Sequence, residues 1–132
     1  MKGTLTHLQA HERAALDELK RRLGEELDGQ LTDLALFGSK SRGDFGPDSD
    51  LDVFIVLEHC DWQIRDRVHL IGARISLDHN VLLNTHILSQ EQWEDMTHHR
   101  ATLWREVQRD GVSLLPERAT NIQSRSASLR GL

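Results

Sequence analysis

The sequence has little of what would send a protein out of the cell or into a lipid bilayer. Its single cysteine, Cys60, cannot form an internal disulfide, which agrees with a reducing compartment. The opening Met1-Lys2-Gly3-Thr4-Leu5-Thr6 lacks the apolar run of a signal peptide, and no stretch approaches the roughly 18 apolar residues of a membrane span. These absences predict a cytoplasmic protein with no membrane partner. No internal repeat and no Pro/Gly-rich linker divide the 132 residues, so one domain of ordinary size is expected. Excess positive charge is lacking too, the formal net charge being −5. Binding to a long run of phosphates draws on many Lys and Arg contacts, so duplex DNA is not the expected partner. A single nucleotide, which needs only a few donors and a metal ion placed locally, is not excluded.

What is present is clear periodicity. Leu16, Leu19, Leu23 and Leu27 recur at spacings of three and four, with Asp17/Arg21 and Glu18/Arg22 as i,i+4 pairs beside them, the pattern of an amphipathic helix ending near Leu27-Asp28-Gly29. Leu31 to Phe37 then forms a short apolar run stopping at Gly38, as a strand does. A second run, Leu51 to Leu57, follows the turn-forming Gly46-Pro47-Asp48-Ser49 and reads as another strand. Ile64, Val68, Ile71 and Ile75 trace a helix with Asp61 as its cap. Val81 to Leu88 is the third strand, and Ser89-Gln90-Glu91-Gln92 has the spacing of a capping box opening the next helix. Leu103, Trp104 and Val107 give a further helical stripe that Gly111 is placed to terminate.

The order helix, strand, strand, helix, strand, helix predicts an α/β (α+β) domain, a small mixed sheet covered by helices. It occupies residues 1–116. From Glu117 the composition turns to Arg, Ser, Asn and Gln, so residues 117–132 are expected to be a mobile tail, with a partner-docking arm as the alternative. Trp62, Trp93 and Trp104 are expected to fill the core or cover an interface, and His7, His11, His98 and His99 to lie on the surface.

Chemistry concentrates between the first two strands. Gly38 permits close backbone approach at a strand end, and Ser39 with the amides after it can offer donors to phosphate oxygens. A short helix beginning there would add its dipole, with Lys40 or Arg42 as a nearby positive charge. Asp50 and Asp52, one residue apart on a strand, leave the same face and can converge on one hard cation. Carboxylate oxygens suit magnesium, which shares its shell with water and substrate phosphates.

This stretch resembles the minimal nucleotidyltransferases of the DNA polymerase beta superfamily, whose hallmark is Gly-Ser, ten residues, then Asp-x-Asp. Gly38-Ser39 and Asp50-Leu51-Asp52 meet that spacing, Arg42-Gly43 and Ser49 match commonly seen positions, and Leu103 to Val112 looks like the family's closing helix and turn. The resemblance implies transfer of a nucleoside monophosphate, often AMP from ATP, with pyrophosphate release. Asp50 and Asp52 would be the catalytic Mg2+ ligands, with Gly38, Ser39, Arg42 and Ser49 on the nucleoside triphosphate. In many stand-alone members the acceptor is a partner protein. The domain is then the antitoxin of a two-gene system and adenylylates a small helical toxin of the HEPN type, in a homo- or hetero-oligomer.

Active relatives usually add a third carboxylate from a neighbouring strand, and Val81 to Leu88 contains none. Asn84 is one occupant of that place and Asp78, just before the strand, another. An amide is no base at neutral pH. The alternative reading is therefore a weak or inactive module that neutralises a partner by binding it.

Overall fold

In the computed structural model, which describes residues 4–43 and 50–115 and of Ser39 and Arg42 only the backbone, the periodic segments become nine elements. These are α1 (Ala10–Glu26), β1 (Leu31–Phe37), α2 (Ser39–Arg42), β2 (Leu51–Leu57), α3 (Trp62–His79), β3 (Leu83–Ser89), α4 (Gln90–His99), α5 (Thr102–Asp110) and β4 (Val112–Ser113). The four strands form one mixed sheet in the order β3-β2-β1-β4. β2 runs parallel to β3 and antiparallel to β1, and β4 is antiparallel to β1. The Gly46-Pro47-Asp48-Ser49 turn and the tail from residue 116 lie outside the described residues.

β1 and β2 are nearly continuous apolar runs because they are the two inner strands and both faces of the sheet are covered. Leu51, Val53, Ile55 and Leu57 face one side, where Leu16, Leu19 and Leu23 of α1 and Val68, Ile71 and Ile75 of α3 complete the larger core. Phe54 and Val56 face the other, with Ala35, Phe37, Leu88 and Val107, against Trp93 and Met96 of α4 and Leu103 of α5. The even-numbered positions of β2 therefore face α4 and α5, and Asp52 is one of them. Among the described residues no helix is long and apolar enough to cross a membrane.

Local signals account for the helix ends. The Asp61 carboxylate accepts from the Ile64 amide at 2.9 Å, and Ser89 and Gln92 close a reciprocal capping box before α4. Arg100, with φ of 51°, ends α4 directly after His98-His99, and the chain then begins α5. α1 and α3 lie antiparallel, with Glu26 meeting Arg67 at 2.7 Å and Glu18 meeting His79 at 2.8 Å.

Several expectations are corrected. β3 begins at Leu83 rather than Val81, because Asn80 takes a left-handed conformation and the Val81 amide closes α3 onto the Ser76 carbonyl. Gly111 follows α5 with φ of −64°, so the chain runs straight into β4 rather than through a left-handed cap. β4 itself is unanticipated. Arg21 pairs with Glu25 instead of Asp17, while Arg22 reaches Glu18 as expected. Trp62 is 71% exposed at the start of α3, whereas Trp93 packs on Phe54 with ring centroids 4.4 Å apart.

One half-buried carboxyl works against the fold at neutral pH. Asp33 follows a register irregularity in β1; burial raises its pKa, and the bond from the Leu34 amide at 2.8 Å only partly opposes this. A raised carboxyl pKa contributes stability below the unfolded value and loses it as pH rises. Asp33→Asn keeps the acceptor for Leu34 and should raise the thermal midpoint at pH 7. The gain should shrink as melts are repeated down through the carboxylate range, and a gain independent of pH would refute this account.

Candidate functional site

The site forms where the end of β1 meets the beginnings of β2 and β3. Phe37, the last residue of β1, pairs with Asp52, and Asp52 pairs with Asn84 across the parallel ladder. Asp52 is therefore flanked by a strand on each side, and its carboxylate is held from three directions. Asn84 donates an amide hydrogen to Oδ1 at 2.9 Å. The His86 ring approaches the same oxygen, with Nε2 at 3.5 Å. Oδ2 faces Gly38, where an added Cβ would stand only 2.6 Å away.

That last contact explains the glycine. Gly38 has φ of 84°, a region that favours glycine, and a side chain there would also collide with Asp52. The turn brings the backbone of Gly38 against the carboxylate and starts α2 at Ser39. Gly43 ends the same short segment with φ of 87°, beneath the exposed His7 ring, whose Nε2 lies 2.7 Å from where a Cβ would be.

α2 is only one turn long and is fixed from outside. The Ser41 hydroxyl lies 2.9 Å from the Gly38 carbonyl and 2.7 Å from the Asp110 carbonyl at the end of α5, and the Thr4 amide donates to the Ser41 carbonyl. Lys40 is not the phosphate-facing charge that its position beside Ser39 predicts. Its ammonium is buried 2.7 Å from Glu12 Oε2 on α1, and the other Glu12 oxygen caps α1 by accepting from the Gln9 amide. Burial opposes ionisation of Glu12, but hydrogen bonds from Lys40 and Gln9 and the Lys40 charge outweigh it and lower its pKa.

Of the residues expected at the site, Gly38 and Asp52 are brought into contact. Asp50 is exposed one residue before β2, close in sequence to Asp52 but outside the ladder. Ser39 and Arg42 open and close α2. Ser49 lies outside the described residues. Between the two occupants considered for the third carboxylate, Asn84 stands beside Asp52, while Asp78 is exposed in the last turn of α3. His86 escaped sequence reasoning. Its signal was parity, since it lies two residues beyond Asn84 on the same face of the strand.

Asp50 and Asp52 offer carboxylate oxygens of the type a hard cation takes. Among the described residues no three His, Cys, Asp or Glu side chains converge as a complete metal cage.

The family described as the nucleotidyltransferase domain matches residues 16–94, a span holding β1, the turn at Gly38, Asp52 and Asn84. The chain belongs to that family. Its nucleotidyltransferase fold is also seen in solved structures. A toxin–antitoxin crystallised with AMP-PNP aligns with a TM-score of 0.51 and 17% identity, covering 88% of this chain and 90% of its own. A mutant of the toxin–antitoxin MntA-HpeT gives 0.48 and 16%, covering 84% and 86%. A Sulfolobus solfataricus protein provisionally assigned as a nucleotidyltransferase gives 0.45 and 18%, covering 87% and 95%. No curated protein matches the chain. At these identities the structural likeness concerns the fold.

Proposed function

We propose that this nucleotidyltransferase domain moves AMP from ATP to a hydroxyl on a partner protein, releasing pyrophosphate. The observation that carries the reading is Asp52 held against the backbone of Gly38, at the spacing of the Gly-Ser and Asp-x-Asp motif. Asp50 and Asp52 would hold Mg2+, which supplies charge neutralisation at the α-phosphate and the leaving pyrophosphate. Gly38, Ser39, Arg42 and Ser49 would bind the triphosphate, with Gly38 leaving room for it beside Asp52. The acceptor oxygen forms a bond to the α-phosphorus as the bond to the bridging oxygen breaks, and pyrophosphate leaves with that electron pair. The hydroxyl proton must pass to a carboxylate or to water, because the Asn84 amide cannot accept it.

The choice of partner draws support from the toxin–antitoxin crystallised with AMP-PNP, to which this chain is similar in fold. A small helical toxin of the HEPN type is the acceptor we favour, met in the cytoplasm. The test is incubation of the chain and the companion protein with ATP labelled at the α-phosphate. Label on the companion supports the reading, and a companion that stays unlabelled while ATP is bound overturns it.

A second reading is favoured by Asn84 itself. With an amide in place of the third carboxylate, the domain restrains its partner by binding, with catalysis weak or absent. Partner neutralisation that survives both Asp50→Asn and Asp52→Asn would select this reading.

Asn84→Asp separates the two contributions of that position. It replaces a donor to Asp52 by a like charge, so the metal-free domain should lose on the order of 1–2 kcal/mol. With Mg2+ and ATP present the third carboxylate should reverse the loss and speed transfer. Melts with and without Mg2+ check this, and equal destabilisation in both would refute it.

A further inference from the structure

Among the described residues, the His86 imidazole stands at this site with chemistry that the reading above leaves unused. It lies on β3 opposite Phe54, edge-on to Phe37 with ring centroids 5.0 Å apart and planes at 63°. This packing sets the ring so that Nε2 points along the sheet face toward Asp52. Nε2 is buried and has no hydrogen-bond partner among the described residues. Leaving a buried polar atom unmatched costs free energy, so its direction calls for a physical reason.

The distance supplies one. Nε2 lies 3.5 Å from Asp52 Oδ1, without the alignment of a hydrogen bond, and that oxygen already accepts from Asn84. Two ligands each ~2.1 Å from one cation, at the angles of octahedral or tetrahedral coordination, stand roughly 3.0–3.5 Å apart. The pair thus has the separation of neighbouring ligands on a shared ion.

We propose that His86 Nε2 is a direct ligand of the cation held by Asp52, taking the coordination place that the missing third carboxylate would fill. Asn84 then acts as a positioning residue, turning the Asp52 carboxylate so that a lone pair of Oδ1 faces the ion. An imidazole in the shell favours Mn2+ and its transition-metal neighbours over Mg2+, whose preference is for oxygen. His86 therefore raises the affinity of the site for Mn2+ relative to Mg2+. This inference rests on the reading of Asp50 and Asp52 as a metal site.

The test uses the full chain with Mn2+ and inorganic triphosphate, a ligand that brings phosphate oxygens and no nitrogen. Pulsed electron paramagnetic resonance reads nitrogen coupled to the bound Mn2+, and titration of the free-ion signal gives its affinity. The wild-type complex should show one directly bound imidazole nitrogen. His86→Phe, which keeps the ring against Phe37, and His86→Gln, which keeps a polar group, should both lose that coupling. Both should weaken Mn2+ about tenfold while changing Mg2+ affinity, measured by competition, less than twofold. Asp52→Asn should abolish binding of both ions, which places the signal at this site rather than at the surface histidines.

Nitrogen coupling that persists in both His86 variants, or is absent from a wild-type complex that still requires Asp52, overturns the assignment of His86 and leaves the proposed function standing. Absence of any Asp52-dependent binding of Mn2+ or Mg2+ overturns both.

Discussion

Asp52→Asn should reduce nucleotidyl transfer by about 10³-fold or more, on the order of 4 kcal/mol in the barrier, while the domain stays folded. Asparagine preserves the shape of the side chain and can still accept from Asn84. What disappears is a full negative charge facing both Gly38 and the His86 ring. A neutral amide binds a hard cation weakly, so the ion and the alignment of the triphosphate are lost together. The Asp52 side chain is 26% exposed and carries no core packing, so the thermal midpoint should move by no more than a few degrees. The decisive measurement pairs transfer of labelled α-phosphate with a melt of the same sample. Full transfer by a folded variant would remove Asp52 from the chemistry. Asp50→Asn should show a similar loss of transfer, and its exposure makes it the cleaner control for folding.

The largest stability effect should come from the Lys40–Glu12 pair. Both side chains are almost fully buried, 3% and 7% exposed, and their charged atoms are 2.7 Å apart. Lys40→Met fills the volume but strands the Glu12 carboxylate without that partner, a change that typically costs about 3–5 kcal/mol. Adding Glu12→Leu to it should restore much of the loss, because the remaining buried charge is then gone. Denaturant unfolding of the two single variants and the double variant measures the coupling. If the double variant loses the sum of the two single losses, the pair is not coupled.

The sign of the pH dependence follows from Glu12. Burial favours its neutral form, but the Lys40 and Gln9 hydrogen bonds and the Lys40 charge prevail, and its pKa lies below the usual 4.5. A depressed carboxyl contributes stability above the unfolded pKa and loses it as pH falls through the folded value. Wild type should therefore hold its stability down to the carboxylate range and lose it below. Lys40→Met should begin to gain stability relative to wild type as Glu12 protonates. The consequence reaches the site, since Lys40 fixes α2 and α2 follows directly from the Gly38 turn against Asp52.

Much of the fold was legible because its signals are local. The leucine stripe of α1, the apolar runs of β1 and β2, the Asp61 cap and the Ser89–Gln92 capping box each depend on residues within a few positions of one another, and each appears where periodicity or capping chemistry puts it. β4 was not legible. Two residues carry no period, and Val112–Ser113 becomes a strand only because β1 has a free edge beside the end of α5.

The same division runs through the site. The sequence by itself determined the Gly38-Ser39 to Asp50-Leu51-Asp52 constellation, since the donors and the acids lie on one stretch of chain and their spacing is countable. Tertiary structure alone decided who surrounds Asp52, because its neighbours come from other strands. The β2–β3 register, not proximity in sequence, puts Asn84 against the carboxylate and leaves Asp78 out on α3. That register and the packing on Phe37 aim His86 at the same oxygen. Lys40 shows the physical reason most plainly. Beside Ser39 in sequence it reads as a phosphate-binding charge, but a buried ammonium needs a partner, and Glu12, 28 residues earlier, is brought to it only when α1 folds onto α2.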